Sequence, residues 1–486
     1  MTALARRLSP AAAIPTPPPV GVVLGVPFAL LGAAAVVYPF YTLAAALGLI
    51  FILIAFRNLA AGVALFAVTT FFVHLPGTGS GSGVGVTVVK LAGVVLVAAW
   101  LLLLFRRKVP LLLVDHPFVA SALIVFPVWA FSSALWAQDA AVAVSSSLRY
   151  GQNVLLVFIV YSALRKPRDV RWLVWAFIAG ALISLILAFA GGPTASATGS
   201  GSYRLGGRFG AGDPNYFAAL LLPAIVFAAF LLVAERDRAT RIVLVGLAFL
   251  FTIGLLQTES RGGIVALAAT GVASLFLAGR IRGRAMIATA LVALVGVTYF
   301  GVVASPASRA RVTRLNSQDS SGRNDLWRIG LAMAGDHPVL GVGSGNFTVV
   351  SPRYAERAFD IVNIDYVVDT PKVTHNTYLN VLDELGIPGL VIFAAIVAGA
   401  FATAFAAIRA LVRSGDVGME MVARALVLGS VGMLVASFSF SGMYQKQLWL
   451  FIGAALALSS VARFSLQSSE PTEGHAASPA APHASS

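Results

Sequence analysis

SGRNDLWRIGLAMAGDHPVLGVGSGNF (Ser321–Phe347) and THNTYLNVLDELGIPGL (Thr374–Leu390) belong to one polar interval, roughly residues 305 to 388. Apolar runs flank it on both sides. It is the only long stretch between apolar segments, and it holds most of the dense polar chemistry. Working outward, 58% of the 486 residues are hydrophobic and 11% are charged, against about 25% charged in soluble domains. The mean hydropathy is +0.87. A helix rises about 1.5 Å per residue, so about 20 apolar residues cross a bilayer core about 30 Å thick. The expected fold is therefore an all-α polytopic membrane protein with one large extracytoplasmic loop containing short helices.

Fourteen candidate spans can be drawn: about 20–37, 41–56, 59–75, 87–105, 117–136, 148–164, 170–190, 214–234, 241–257, 262–279, 285–304, 388–408, 421–440 and 446–464. The first two are short and joined only by Tyr38–Phe40, so twelve or thirteen also fit. With the N-terminus in the cytoplasm, every second loop is basic. Twenty of the 34 Lys and Arg, but only eight of the 20 Asp and Glu, fall on that side, as the positive-inside rule requires. The expected partition is a cytoplasmic segment 1–19, eleven spans over 20–304, the outer loop 305–387, three spans over 388–464 and a disordered cytoplasmic tail 465–486. The net charge of +14 is then a topology signal. The basic residues sit in short loops with no binding fold around them, which argues against a nucleic-acid partner.

The chain has no cysteine, which excludes disulfides, Cys-ligated zinc and iron–sulfur clusters. Arg6 and Arg7 are separated from the first apolar run by the Pro-rich Pro15–Pro19, so no cleaved signal is read. No tandem repeat is visible. Within the loop, Ser320 or Ser321 can cap a helix running to about Ala334, stopped by Gly335 and Pro338. Gly341, Gly343 and Gly345 predict a tight turn. A second helix is expected from Thr374 or Asn376 to Gly386, with Pro388 opening the next span.

Four segments can carry chemistry. Ser260–Gly263 (SRGG) lies at the non-cytoplasmic mouth of two spans. Arg261 presents a planar fork suited to phosphate, and Gly262 and Gly263 allow close approach; the alternative is an interfacial Arg paired with Glu259. Arg323 stands in a first helical turn beside free N–H groups, an anion site, with Trp327 one turn on. The bland reading of that pair is a solvated Arg beside an interface-anchored Trp. His375 is the one histidine of six surrounded by a polar, helix-capping cluster, with Asn376 next to it. A neutral His takes a proton from a hydroxyl; otherwise it is a structural, hydrogen-bonded residue. Asp213-Pro214-Asn215 starts a helix, with Arg204 and Arg208 upstream as an anion-attracting rim. Gly341–Asn346 lacks the Lys-Ser/Thr of a nucleotide loop and is read as a turn. Asp360, Asp365 and Asp369 are read as a solvated face, and no His/Asp/Glu set has metal-ligand spacing.

The order DPNYFA, SRGG, GRNDLW, HPVLGVGSGNF and HNTYLNVLDELGIPGL, with three closing spans, resembles the O-antigen ligase / O-antigen polymerase superfamily over about residues 115–460. The two N-terminal spans look additional to that family's twelve-span plan. The resemblance implies a GT-C-like, metal-independent, inverting glycosyltransferase of the bacterial inner membrane that needs no cofactor. The donor would be a glycan on undecaprenyl (polyprenyl) diphosphate, and the acceptor a hydroxyl on a glycan, lipid or protein. It implies catalytic roles for His375, Arg261 and Arg323; Arg204, Arg208, Asn376 and Trp327 are candidate substrate contacts. The competing reading is a transporter or flippase of lipid-linked glycans. Transporters keep ionisable groups within their spans, whereas here midspan charges are few, Lys90 being one.

Overall fold

The computed structural model describes residues 39–72, 88–106, 109–191, 194–195, 203–207, 212–313, 322–355 and 372–469. The helices are α1 Pro39–Arg57, α2 Leu59–Thr69, α3 Val88–Phe105, α4 Leu112–Asp115, α5 Pro117–Ser132, α6 Ala140–Ala163, α7 Pro167–Gly191, α8 Pro214–Ala234 and α9 Arg238–Gln257. They continue with α10 Arg261–Leu277, α11 Arg282–Thr298, α12 Pro306–Thr313, α13 Arg323–Asp336, α14 Phe347–Ala355, α15 Thr377–Ser414, α16 Val417–Ala436 and α17 Lys446–Ser469. Among the described residues the one departure from helix is a minimal antiparallel ribbon, β1 Thr194–Ala195 with β2 Tyr203–Arg204.

Among the described residues ten helices are long and apolar enough to cross a membrane, and three apolar ones are shorter. Thirteen of the expected spans each coincide with a helix; the first, 20–37, and the tail beyond Ser469 lie outside the described residues. The largest difference in a boundary is at α6. α6 begins at Ala140 rather than 148, because Asp139 accepts from Val142 N at 3.0 Å and caps a turn that the Ser145–Ser147 run had obscured. Lys90, read as a midspan charge, stands in the first turn of α3.

The chain divides at Leu53/Ile54. Of the first unit the described part is α1 up to Leu53, an apolar helix with Leu43, Leu47 and Leu53 exposed. In the second unit α8, α16 and α17 form the centre: 78% of each apolar window is buried, against none of the Gly279–Val303 window. α8 packs on α9 and α16, α16 on α10, and α15 on α5 and α17. Small residues allow the close approach typical of membrane bundles. A Cβ on Gly432 would lie 2.0 Å from the Leu222 side chain, and one on Gly254 would lie 2.6 Å from Leu185.

The expected loop region holds α12, α13, α14 and the start of α15. α13 is entered from Gly322 in the left-handed conformation (φ 71°), with no side-chain cap. A glycine chain reversal thus replaces the expected serine cap, and Ser320 and Ser321 lie outside the described residues. Pro338 forces His337 out of helical geometry (φ −125°, ψ 53°), ending α13. α15 starts on Asn376, whose side chain accepts from Tyr378 N and Leu379 N at 3.0 and 3.1 Å. It breaks at Gly386 (φ 68°, ψ −172°) and resumes through Pro388. Gly341–Asn346 is a turn, as its composition predicts. Val342 N and Gly343 N donate to Asp383 O and Glu384 O at 2.8 and 2.9 Å, and Ile387 N donates to Pro338 O at 2.8 Å.

A Cβ at Gly386 would lie 2.2 Å from Val339 O, and the backbone there is one that L-residues resist. Gly386→Ala is expected to cost at least about 1–2 kcal/mol, read as a lower unfolding midpoint in detergent. Gly151→Ala, with open space around it, is the control expected to lose nothing.

Candidate functional site

The site grows from three chain reversals at one end of the bundle. Asp213 caps α8, accepting from Asn215 N and Tyr216 N at 2.6 and 3.2 Å. Ser260 caps α10, accepting from Gly263 N at 3.1 Å, and its hydroxyl donates to Asn215 Oδ1 at 2.9 Å. The same buried Asn215 oxygen accepts from Arg204 Nη2 at 3.2 Å, while Arg204 Nε donates to Thr258 O at 2.9 Å. One carboxamide therefore ties β2, α8 and α10 together.

Glu259, just before that cap, is buried and adopts a left-handed backbone (φ 51°). It does not pair with Arg261. Its carboxylate accepts from the Ser308 hydroxyl and faces Arg311 Nε at 4.0 Å. Arg261 instead donates from Nε to Arg311 O at 2.7 Å. α12 is thus held over the start of α10 by two arginines and one glutamate. The glycines that follow serve protein packing: a Cβ on Gly262 would lie 2.0 Å from Ser439 Oγ, and one on Gly263 would lie 2.6 Å from Ala218 Cβ.

His375 also has positive φ (50°) and immediately precedes the Asn376 cap. Trp327 on α13 donates from its indole N–H to Thr374 O at 3.0 Å, and Thr374 Oγ1 donates to Asn376 O at 2.9 Å. Trp327 and Asn376 therefore position His375 through the backbone. Thr377 donates to Phe440 O and accepts from Gly442 N, at 2.9 and 2.8 Å, which fixes the same turn to the loop joining α16 and α17.

The charges on these reversals act on one another. Burial first, then Arg323 and Lys372, lower the His375 pKa below its ordinary value, with Asp213 opposing. Burial also lowers Arg323, as do Arg311 and Arg261, again against Asp213. Burial, with Arg311 and Arg323 adding, brings Arg204 down to about 10. The lowered pKa favours the neutral imidazole of His375 and leaves the local positive charge to the arginines and Lys372. Cations thus outnumber the carboxylates Asp213 and Glu259.

Of the residues expected from sequence, the fold brings Arg204, Arg261, Arg323, Trp327, His375 and Asn376 together. Arg208 lies outside the described residues, as do Asp360, Asp365 and Asp369. Arg311 and Lys372 are members that the sequence reading missed. Arg311 sits in the basic run Arg309–Arg314, and its position in the loop expected on the outer, normally charge-poor side was the available signal. Among the described residues no group of three His, Cys, Asp or Glu is arranged to hold a metal ion.

The electrostatics predict the titration of His375. Its midpoint, followed by NMR of labelled histidine, should fall below 6.5. Removing a neighbouring positive charge stabilises the imidazolium, so Arg323→Gln should move the midpoint upward.

Residues 245–394 match the family described as O-Antigen ligase. That segment runs from α9 into α15 and contains Glu259, Arg261, Arg311, Arg323 and His375. The Exopolysaccharide production protein ExoQ of Rhizobium meliloti (strain 1021) is 26% identical over 305 residues, covering 60% of this chain and 68% of that protein. With the SRGG, GRNDLW, HPVLGVGSGNF and HNTYL motifs inside the matched segment and the helical bundle around them, this chain is a multi-pass membrane protein whose residues 245–394 are similar to the O-antigen ligase family.

Proposed function

We propose that the protein is a membrane glycosyltransferase that transfers a glycan from a polyprenyl diphosphate to an acceptor hydroxyl at the outer face of the bacterial inner membrane, in the production of a cell-surface polysaccharide. The observation that carries this reading is the meeting of His375 with Arg204, Arg261, Arg311 and Arg323, delivered by five separate segments at the end of a lipid-soluble bundle. The relative's name, which speaks of exopolysaccharide production, agrees with it.

The orientation follows from charge. α10 carries Arg261 at its start, and Arg280 lies just past its other end. There Arg280 and Arg424 each reach Glu420 at 2.9 Å. A helix of 17 residues is about 25 Å long at about 1.5 Å per residue, so the two clusters lie at opposite ends of the bundle. The Arg280 end belongs to the basic, cytoplasmic set of loops; the termini would be cytoplasmic and the site would face outward.

The acceptor oxygen attacks the anomeric carbon, and the bond from that carbon to the diphosphate oxygen breaks. The products are the new glycoside and polyprenyl diphosphate. Attack opposite the leaving group inverts the anomeric centre. His375 accepts the hydroxyl proton through its neutral imidazole. Arg261 and Arg323 stabilise the charge that grows on the departing diphosphate, with Arg204 and Arg311 around them. Fixed cations in a water-poor site do this without reorganising during reaction. The positive charge that many phosphate-transfer sites obtain from a divalent ion is here supplied by arginine, and the donor's own diphosphate provides the driving force.

The test is complementation of a deletion strain, with membrane levels matched and glycan read on one gel. His375→Ala and Arg261→Ala should each lower transfer at least about 10²-fold. Arg261→Lys keeps the charge but loses the fork, and should retain intermediate activity. Full restoration by both alanine variants would overturn the assignment. Transport of a lipid-linked glycan by reconstituted protein, unaffected by His375→Ala, would favour a flippase.

A further inference from the structure

The loop between α16 and α17, Ser437–Gln445, has two faces. One frames the site just described: Ser437 O accepts from Thr377 N at 2.9 Å, Phe440 O accepts from Thr377 Oγ1, and Ser439 lies against Gly262. The other leads to Tyr444 and Lys446. Tyr444 stacks on Tyr150, ring centroids 4.8 Å apart, and its hydroxyl donates to Glu384 Oε2 at 3.3 Å. The Arg149 guanidinium lies over the Tyr444 ring at 5.5 Å. Lys446 is within electrostatic reach of Lys90 and Arg149.

Three cations thus act on one another from three segments, the first turns of α3 and α17 and the outer half of α6, and the Arg149–Tyr444 contact places Arg149 over a ring two residues along the chain from Lys446. Lys90 and Arg149 are exposed, and Lys446 is half-buried. Among the described residues neither Arg149 nor Lys446 forms an ion pair. On the orientation proposed above, this cluster lies at the outer membrane surface, where the positive-inside rule disfavours Lys and Arg. Like charges brought together near apolar surroundings repel, and an anion between them offsets that repulsion. Ser441 contacts the His375 turn through Thr374, with hydroxyl oxygens 3.4 Å apart. From Ser441 to Lys446 the chain spans at most about 18 Å.

We infer that Lys90, Arg149 and Lys446, with Tyr444 behind them, form a second anion site that seats the diphosphate of the acceptor, itself a lipid-linked glycan. The inference rests on the transferase reading. A glycosyl transfer between two membrane-borne chains needs two anionic head groups side by side at one surface, each with its lipid in the leaflet. The arginine cluster around His375 takes the donor's diphosphate; the Lys446 cluster takes the acceptor's and lays its terminal sugar toward His375. A protein serine or threonine acceptor would carry no such charge and would have no use for the second cluster.

Binding of undecaprenyl diphosphate to the full-length protein in neutral phosphatidylcholine nanodiscs tests this. Wild type should bind two equivalents, and Arg149→Gln/Lys446→Gln should bind one. Retention of that equivalent shows the variant is folded, and adding Arg261→Gln/Arg323→Gln should abolish it. A single equivalent in wild type, unaffected by Arg149→Gln/Lys446→Gln, would overturn the second site and leave the donor site standing. Displacement of the second equivalent by phosphatidylglycerol at equal mole fraction would also overturn it, identifying a seat for ordinary anionic lipid. Two equivalents that persist in Arg261→Gln/Arg323→Gln would instead refute the donor-site reading.

Discussion

The break in α15 sets the geometry of this end of the molecule. A helix interrupted beside a membrane exposes backbone donors and acceptors, and lipid offers no water to satisfy them. Here the freed groups are taken one by one. Asp383 O and Glu384 O accept from Val342 N and Gly343 N. Leu385 O accepts from the Trp129 indole at 2.8 Å, and Ile387 N donates to Pro338 O. Gly345 N and the Tyr444 hydroxyl reach the Glu384 carboxylate. The glycine-rich turn therefore splints the break. Its glycines have no room for a side chain: a Cβ on Gly341 would lie 2.5 Å from the Glu384 backbone, and one on Gly343 would lie 2.5 Å from Ala137.

Once the break is splinted, the segment Thr377–Leu385 has a fixed direction, and so does the residue that leads into it. His375 is held by a capping asparagine, by a tryptophan acting on the preceding carbonyl and by the α16–α17 loop. Gly330 of α13 lies so close to this segment that a Cβ would meet Asp383 Oδ2 at 2.7 Å. α13 therefore cannot shift without moving His375, and Arg323 and His375 form a unit. Left-handed backbone at Glu259 and His375 costs of order 1–3 kcal/mol each. Both strained residues flank the candidate site, where surrounding hydrogen bonds over-determine them.

Most of the bundle was legible in the sequence because span length and alternating loop charge follow directly from bilayer thickness and the positive-inside bias. The helix starts at Asp213 and Asn376 were legible because short polar side chains before apolar runs have one main local use; the Ser260 cap was not read. The start of α6 was not: three consecutive serines resemble a loop, and the Asp139 cap lies nine residues before the expected start. The alternative reading of Arg261, an ion pair with Glu259, is not what the fold shows. Proximity in sequence favours Glu259, but the left-handed turn there sends the carboxylate to Ser308 and Arg311 on α12. Arg311 and Lys372 join the site only through folding of the outer loop, and no local pattern encodes that. The β1–β2 ribbon, four residues in all, is too short to leave a periodic signal, yet it delivers Arg204.

The electrostatics of the candidate site bear on the order of events. Burial, Arg323 and Lys372 hold His375 in its neutral form, and a neutral imidazole made so by neighbouring cations is a weak base. Asp213 offsets this only in part, and its Oδ1 already accepts two α8 backbone N–H groups. On the proposed reading, the donor's diphosphate enters among these arginines and reverses the local field. The cations that depressed His375 become paired, negative charge appears close by, and the basicity of the imidazole rises before the acceptor hydroxyl must lose its proton. The same cations then take up the charge released as the glycosidic bond breaks. Donor binding and base strength are thereby coupled through shared arginines, so that an acceptor alone, or water alone, meets a histidine poorly suited to activate it.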